Sequence, residues 1–225
     1  MISVILLAAG SGKRMKLDKP KQFMMINNKP LISYALETFQ KSKADEIVIV
    51  TNEDNVSLCK DIVNKYHFTK VKDVIVGGNE RYDSVYNGLS AVNGRDDDIV
   101  LIHDSARANI SLEVISSVIE EAGRSGAAIP AVPVKDTIKV VIDGVVCDTP
   151  LRSTLYQVQT PQGFRYNAIR SAYDKMHLSN DTSITDDSMV MEKYGKLKVK
   201  VVEGDYDNIK VTTPEDVSRI TELLS

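Results

Sequence analysis

Tryptophan is absent from this chain of 225 residues, and aromatic side chains make up only 6% of it. So few rings argue against the stacking platform on which proteins bind single-stranded nucleic acid. The formal net charge is -3, so no basic field indicates DNA or RNA as the main partner. No run approaches the ~18 consecutive apolar residues that suggest a membrane helix. The composition therefore predicts neither a nucleic-acid partner nor a membrane partner.

Cysteine is also scarce, since Cys59 and Cys147 are the two in the chain. Neither belongs to a C-x-x-C pair, which argues against zinc and redox motifs. Cys59 falls in a predicted helix, where it would serve packing, and Cys147 falls in a predicted hairpin. Because no disulfide pattern is indicated, we expect a reducing, cytoplasmic setting. The apolar start, residues 2–9, lacks the basic flank of a signal peptide and predicts a core strand.

A glycine-rich cationic loop follows this first strand. Small residues at positions 8–12 let the backbone approach a ligand closely, because glycine adopts dihedral angles that other residues avoid. Against a single acid, Asp18, the next residues bring five cations: Lys13, Arg14, Lys16, Lys19 and Lys21. Backbone N–H groups and positive charge aimed at one anion suit a polyphosphate. The alternative is a flexible surface turn with solvated lysines.

Two better-known phosphate motifs do not match this loop. A Walker A loop needs a first glycine where Leu7 stands and a hydroxyl side chain where Arg14 stands. A dinucleotide fingerprint needs a third glycine where Met15 stands. The loop therefore predicts a phosphate site of another kind.

Apolar strand patterns and amphipathic helix patterns alternate along the first part of the chain. Predicted strands cover 2–7, 46–51, 74–76, 98–102 and 127–132, and predicted helices cover 30–41, 56–66, 81–92 and 112–122. Pro30 would take a first helical position, and Gly123 would end the fourth helix. The alternation predicts one α/β domain over residues 1–225, Rossmann-like and three-layered, with a mostly parallel mixed sheet. Ligands of such sheets bind at the carboxyl ends of the strands, where the first loop lies.

The pattern changes after residue 136. Residues 137–142 and 145–149 flank Asp143-Gly144, a strong signal for a two-residue hairpin. This apolar hairpin has no evident partner within the sheet, and a lone hairpin is marginally stable in water. We therefore expect residues 137–153 to form an extended arm that packs on a second subunit. A local flap is the alternative.

The last part of the chain returns to helix and strand patterns. Predicted helices at 164–176 and 188–194 precede a strand at 198–202 and an extended piece at 208–211. The final helix would begin with Thr213 as its cap and Pro214 at its first position.

Cationic side chains that could meet a phosphate occur in four places: Arg14 with Lys21, Arg81, Arg107 with Arg152, and Lys210. Two further candidates, His103 and Asp104, come directly after the predicted buried strand 98–102. His103 could be a base or a structural residue, and Asp104 could contact hydroxyls or a metal ion, or cap a turn. No nucleophile constellation and no metal-ligand spacing is evident. Cations around phosphates, without a protein nucleophile, favour direct phosphoryl or nucleotidyl transfer.

Several motifs in order resemble the 2-C-methyl-D-erythritol 4-phosphate cytidylyltransferase family, from Leu7 to about the last helix. They are Leu7-Ala-Ala-Gly-x-Gly-Lys-Arg-Met15, Pro20-Lys21-Gln22, Gly77-Gly78-x-x-Arg81, His103-Asp104-x-Ala106-Arg107, Pro133-Val-Lys-Asp-Thr137, Gln159-Thr-Pro-Gln162, Thr185-Asp186 and Asn208-Ile-Lys-Val-Thr212. The resemblance implies that a phosphate oxygen of methylerythritol phosphate attacks the α-phosphorus of CTP in line. The products would be the 4-diphosphocytidyl compound and pyrophosphate, with Mg²⁺ as the metal.

The resemblance also implies roles for single residues. Arg14 and Lys21 would stabilise charge in the transition state, and Lys210 would contact the α-phosphate or the incoming phosphate. The nucleotide would be held, largely through backbone groups, by Ala8, Ala9, Gly10, Gly78 and Ser84. The methylerythritol would be oriented by Asp104 and Arg107, in a site lined by Thr160 and Thr185. The resemblance implies no direct metal ligand beyond Asp104 as a candidate.

The family is a homodimer, so Thr137 and Arg152 on the arm would hold the substrate phosphate across the subunit interface. The chain departs from the family pattern at three positions: Asn79, Ala108 and Leu151. A related enzyme that makes CDP-ribitol from ribitol 5-phosphate is the first alternative, although its first loop more often has Ala-Gly-Gly. A nucleotide-binding protein without catalysis is the second alternative.

Overall fold

The computed structural model describes residues 1–10, 20–179 and 181–225. In these ranges the strands are β1 Ile2–Ala8, β2 Met25–Ile26, β3 Lys29–Pro30, β4 Glu46–Thr51, β5 Val71–Val76, β6 Ile99–Asp104, β7 Ala127–Pro133, β8 Val140–Ile142, β9 Val145–Asp148, β10 Tyr156–Val158, β11 Gln162–Arg165 and β12 Lys200–Glu203. The helices are α1 Leu31–Lys41, α2 Val56–Lys65, α3 Arg81–Ala91, α4 Leu112–Ser125, α5 Tyr166–Ser179, α6 Asp187–Tyr194 and α7 Pro214–Leu223. No helix among the described residues combines the length and apolarity needed to cross a membrane.

The central sheet is mixed and mostly parallel, as predicted. Its path runs β5, β4, β1, β6, β11 and β7, and both β10 and β12 also pair with β7. The pairs β1–β4, β1–β6, β4–β5 and β7–β12 are parallel, whereas β10 and β11 run antiparallel to their neighbours. The carboxyl ends of β5, β4, β1 and β6 therefore meet at one edge of the sheet, where ligands of α/β proteins bind.

Both faces of the sheet are covered, which gives three layers. Along β1, Val4 and Leu6 enter a core cluster shared with α1, α2 and α4, while Ile5 and Leu7 enter a cluster shared with α3, α5 and α6. Successive side chains of a strand point to opposite faces, so one apolar run serves both clusters. All four of these side chains are buried. The apolar start of the chain is thus a core strand, as its sequence indicates.

The predicted boundaries needed correction at the junctions. The predicted helix at 164–176 was wrong at its start. Phe164 lies in β11, where it pairs with Val100 of the neighbouring strand β6, and α5 begins only at Tyr166. Pro30 lies in β3 instead of opening α1. Residues 208–211, predicted as an extended piece, belong to no helix or strand of the described structure, so that prediction stays open. Pairing between strands decided the boundary at Phe164, which pairs with Val100, and at Pro30, which pairs with Met25.

Helix ends follow their capping residues. The fourth helix was predicted to end at Gly123 but continues to Ser125, and Gly126 ends it with a φ of 90°. That left-handed conformation favours glycine, so Gly126 is the real stop signal. At the last helix Thr213 caps the N-terminus in a capping box and Pro214 takes the first turn, which confirms the prediction.

The predicted hairpin exists, in a shorter form. Within the described ranges, strands β8 and β9 pair only with each other, around a turn at Asp143 and Gly144 that has positive φ at both residues. Such dihedral angles are those of the turn type that an Asp-Gly pair favours. Both strands are exposed along their whole length. The hairpin therefore projects from the domain without covering its own apolar side chains.

Candidate active site

A cavity of about 720 Å³ opens at the carboxyl edge of the parallel strands. Its described lining comes from the segments after β1, β4, β5 and β6 and from the segment before α7: Leu7, Ala9, Gly10, Lys21, Gln22, Asn52, Gly78, Asn79, Glu80, Arg81, Ser84, Asp104, Ser105, Ala106, Lys210 and Thr212. Segments far apart in sequence thus build one concave surface with both polar and apolar groups, which is typical of a ligand site.

Asp104 lies at the centre of the charges in this cavity. One carboxylate oxygen, Oδ2, is 2.6 Å from Nζ of Lys210, and the other, Oδ1, is 3.4 Å from Nε of Arg81. Burial raises the pKa of the Asp104 carboxyl, but the positive charges of Arg81 and Lys210 outweigh burial and hold the pKa well below its usual value. Asp104 is therefore a carboxylate at neutral pH.

A second carboxylate, that of Asp187, holds the guanidinium of Arg81. Its Nη1 and Nη2 donate to the two oxygens of Asp187 at 2.9 and 2.7 Å, in the bidentate geometry that suits a guanidinium. Asp187 is fully buried and also accepts a 2.6 Å hydrogen bond from the hydroxyl of Tyr173. Burial alone would lower the pKa of Arg81, but Asp187 and Asp104 raise it well above its ordinary value. The arrangement leaves only Nε of Arg81 to face the cavity carboxylate.

His103 serves the structure at the floor of the site. Its ring is fully buried against Phe39, and Nε2 is 3.0 Å from the carbonyl oxygen of Arg107. A carbonyl only accepts, so the proton lies on Nε2 and the hydroxyl of Thr160 donates to Nδ1 at 3.1 Å. The same Thr160 oxygen accepts from the N–H of Asp104 at 3.1 Å. Burial lowers the pKa of His103 to about 4, which keeps the ring neutral.

A short 3-10 turn, Lys21–Phe23, forms one wall of the cavity. Nζ of Lys21 donates to the carbonyl of Val211 at 2.6 Å, next to Lys210 in sequence. The amide of Gln22 is buried and donates to the carbonyl of Ala8 at 2.5 Å. The turn therefore contacts both the first loop and the segment before α7.

The opposite wall is a tight turn before α3. The N–H of Gly78 donates to Oγ of Ser84 at 3.1 Å, and that hydroxyl donates to the carbonyl of Glu80 at 3.2 Å. A Cβ on Gly78 would lie 2.2 Å from Cβ of Asp83, so no other residue fits there without movement. The turn brings backbone and the start of a helix against the cavity.

Most of the predicted site residues that the structure describes meet in this cavity: Ala9, Gly10, Lys21, Gly78, Ser84, Asp104 and Lys210. Ala8 and Thr160 lie directly behind this lining, where they bond to Gln22 and Asp104 respectively. Arg14 lies outside the described residues, so its predicted role stays a prediction.

Four other predicted residues lie elsewhere. Arg107 donates to the carbonyls of Asn208 and Val158 at 2.8 and 3.3 Å, so its guanidinium holds two loops together. Thr185 is exposed, and its hydroxyl faces the sulfur of Met189 at 3.6 Å. The remaining two are exposed on or beside the hairpin: Thr137 and Arg152.

Sequence reasoning assigned no role to Gln22, Asp187 and Tyr173. Gln22 was visible inside the motif Pro20-Lys21-Gln22, yet a glutamine has no characteristic chemistry to mark it. The pairing of Arg81 with Asp187 joins residues 106 positions apart and carries no local signal.

Comparison with known proteins identifies the family. A family model described as 2-C-methyl-D-erythritol 4-phosphate cytidylyltransferase matches residues 2–225. The chain belongs to this family. It is therefore a cytidylyltransferase, one of the nucleotidyltransferases.

Individual relatives of the family agree along the whole chain. A protein of that name from Clostridium botulinum is 48% identical over 96% of this chain and 93% of its own length. One from Alkaliphilus oremlandii is 45% identical over 99% of this chain and 94% of its own length. The crystal structure of 4-diphosphocytidyl-2C-methyl-D-erythritol synthase from Anaerococcus prevotii has a TM-score of 0.86 at 35% identity, covering 99% of this chain and 95% of that one. The expected fold and family are both confirmed.

Proposed function

We propose that this cytidylyltransferase transfers CMP from CTP to 2-C-methyl-D-erythritol 4-phosphate within the described cavity. The observation that carries the proposal is the meeting of Lys21, Lys210 and Asp104 in one cavity beside the small residues Gly10 and Gly78. A triphosphate needs fixed cations, and close backbone approach needs residues without bulk. Family membership supplies the identity of the two substrates.

In the proposed reaction, a phosphate oxygen of the methylerythritol phosphate attacks the α-phosphorus of CTP in line. A new P–O bond forms, and the bond to the β-phosphate oxygen breaks, so pyrophosphate leaves with the electron pair. Lys21 and Arg14 stabilise the negative charge that spreads over the reacting phosphates. Lys210 contacts the α-phosphate or the incoming phosphate, and in doing so it exchanges some of its contact with Asp104.

The nucleotide is proposed to lie between the two walls of the cavity. Ala8, Ala9 and Gly10 approach it from β1, and Gly78 and Ser84 from the turn before α3. A Cβ on Gly10 would meet no atom of the described residues within 4 Å, so no described side chain fills the space beside it. Backbone groups on both sides can then contact the base and ribose without side chains in the way.

Asp104 is proposed to orient the methylerythritol through its hydroxyl groups. The structure supports this role of Asp104, because its carboxylate lies in the cavity and stays ionised. Thr160 holds the backbone of Asp104, since its hydroxyl oxygen accepts a hydrogen bond from the N–H of Asp104. For Arg107 to contact the substrate, its guanidinium would give up its hydrogen bond to the carbonyl of Asn208 or of Val158. For Thr185 the resemblance alone supports a place in the site.

Mg²⁺ is proposed as the divalent metal of the reaction. Asp104 is the proposed carboxylate ligand in the cavity, although two cations already contact its oxygens. No group of three or more His, Cys, Asp or Glu side chains suited to a metal occurs among the described residues. Mg²⁺ often takes one or two carboxylates and completes its shell with phosphate oxygens and water. The donor set thus fits a metal held mainly by the substrate, where it would neutralise phosphate charge.

The active form is proposed to be a homodimer in which residues 137–153 act as a dimerisation arm of a single domain, 1–225. Seven apolar side chains on this arm are exposed to between 40% and 70% in one chain: Ile138, Val140, Val141, Ile142, Val145, Val146 and Leu151. So many exposed apolar side chains within one short segment favour an interaction site. A second copy of the chain would cover it and receive Thr137 and Arg152 for the substrate phosphate.

The proposed setting is the cytoplasm. In the described structure neither thiol is paired, with Cys59 buried in α2 and Cys147 exposed in β9. An exposed free thiol fits a reducing compartment. Measuring the redox state of Cys147 in intact cells checks this proposal.

The test of the proposed function is a parallel assay of CTP with each of two polyol phosphates, read out as pyrophosphate release. We expect turnover with methylerythritol phosphate and little with ribitol 5-phosphate. If only ribitol 5-phosphate is turned over, the protein is the alternative enzyme, which makes CDP-ribitol. CTP binding without release from either polyol phosphate would favour a nucleotide-binding protein without catalysis.

A further inference from the structure

Gln22 lies between two parts of the cavity, Lys21 and the loop at Ala8–Gly10, that act together in the proposed reaction. It follows Lys21 in the 3-10 turn, and its side chain is only 1% exposed. Its Nε2 donates to the carbonyl of Ala8 at 2.5 Å and to the carbonyl of Gly10 at 3.3 Å. One amide nitrogen therefore contacts both the last residue of β1 and the second residue of the loop that follows it.

The turn that carries Gln22 is anchored independently of the cavity. Phe23 is buried in the main core cluster, and the carbonyl of Met24 accepts from the N–H of Leu31 at 2.9 Å, at the start of α1. On the cavity side, Lys21 reaches the carbonyl of Val211 at 2.6 Å. The turn is thus a fixed point from which two neighbouring side chains reach two different segments, the residues before α7 and the residues at the end of β1.

We infer that Gln22 is a positioning residue that fixes the nucleotide loop, Ala8–Gly10, relative to the ammonium group of Lys21. This inference rests on the proposed function, since it assigns the loop to the nucleotide and Lys21 to the reacting phosphates. Because Nε2 of Gln22 donates to two backbone carbonyls, the amide sets the position of the loop whatever side chains the loop carries. Loss of the amide would let the base and the catalytic cation shift against each other.

The size of the expected effect follows from the sensitivity of catalysis to geometry. A misplacement of about 1 Å can cost ~10²-fold in rate, even when the mutated residue touches no reacting atom. Gln22→Met keeps the length of the side chain and removes both hydrogen bonds. We expect it to lower kcat by about 10-fold or more, by the same argument.

A double-mutant cycle with Lys21→Ala tests whether Gln22 acts through Lys21. We expect Gln22→Met to lower kcat in the wild-type background and to have no further effect in the Lys21→Ala background. Gln40→Met is the matched control, since Gln40 bonds to Thr69 and Lys70 away from the cavity. The control should leave kcat unchanged in both backgrounds.

The outcomes separate this inference from the proposed function. Wild-type turnover of CTP with methylerythritol phosphate is measured first, and its absence would count against the proposed function. With wild-type turnover present, an unchanged kcat for Gln22→Met, or an equal loss in both backgrounds, overturns the inference. Gln22→Glu, which keeps the shape and removes the donor, serves as a second variant. If neither variant folds, as judged by thermal melting, Gln22 is a purely structural residue and the inference is also overturned.

Discussion

Nζ of Lys210 and Oδ2 of Asp104 lie 2.6 Å apart inside the cavity and join the end of β6 to the segment before α7. The cation that is proposed to meet a phosphate is therefore held by a carboxylate before any anion arrives. An incoming phosphate competes with Asp104 for Lys210, so anion binding and release of this carboxylate are coupled.

The first prediction concerns this lysine. Lys210→Met removes the charge and keeps most of the volume, and we expect kcat to fall by ~10²-fold or more because a transition-state contact is lost. Steady-state pyrophosphate release gives the measurement. Lys60→Met, on the exposed face of α2, is the control and should keep normal activity. A near-normal kcat for Lys210→Met would contradict the assigned role.

The second prediction concerns the cations of the first loop and the following turn. Lys21→Ala and Arg14→Ala should each lower kcat by ~10²-fold or more, the usual scale for loss of an electrostatic contact to the transition state. The KM for CTP should change less than kcat, because the contact strengthens as charge develops. Normal pyrophosphate release in both variants would reject both roles.

The third prediction concerns the support behind Arg81. Tyr173→Phe removes one hydroxyl that donates to the fully buried carboxylate of Asp187. Hydrogen bonds to charged groups contribute about 1.5–3 kcal/mol, so we expect a free energy of unfolding lower by about 2 kcal/mol. Tyr34→Phe is the control, since its hydroxyl bonds to the neutral carbonyl of Ile26 and should cost about 1 kcal/mol. Equal losses in urea unfolding would count against the prediction.

The fourth prediction concerns the pH dependence of stability. Burial lowers the pKa of His103 to about 4, below the ordinary value of about 6.5 that it regains on unfolding. The unfolded state therefore binds the proton more readily, and stability is complete above about pH 6.5 and falls toward pH 4. By pH 5 this single group should remove about 2 kcal/mol of stability.

His103→Gln tests that pH dependence. We expect the free energy of unfolding of this variant to fall less between pH 7.5 and pH 5 than that of the wild type. His67→Asn is the control, because His67 is exposed and has a positive φ that asparagine tolerates. Parallel pH curves for wild type and His103→Gln would show that His103 does not titrate as described.

The fifth prediction concerns the arm. Deletion of residues 142–146 should give a monomer with poor activity, because the apolar surface for the partner and the setting of Arg152 are both lost. Sedimentation velocity measures the assembly, and pyrophosphate release measures the activity. Val145→Lys keeps the hairpin and places a charge on a side chain that is 65% exposed, so it should weaken the dimer too. If the deletion variant is still an active dimer, the proposed role of residues 137–153 in dimerisation is wrong.

Much of the fold was predictable because its signals are local. The run at β1, the Asp143-Gly144 turn and the Thr213-Pro214 cap each act within a few residues, and each was confirmed. The start of α5 was not predictable in this way. Phe164 has an apolar side chain that suits a helix or a strand, and only its pairing with Val100 decides for the strand.

The amino-acid sequence by itself determined the family, the α/β class and the cationic, glycine-rich character of the site, because short motifs and periodicity carry them. The tertiary structure alone decided which charges meet. Asp104 with Lys210 and Arg81 with Asp187 join segments far apart in the sequence, and the amide of Gln22 joins the 3-10 turn to the end of β1. No local rule sets such distances, since they follow from how the strands align their carboxyl ends at one edge of the sheet.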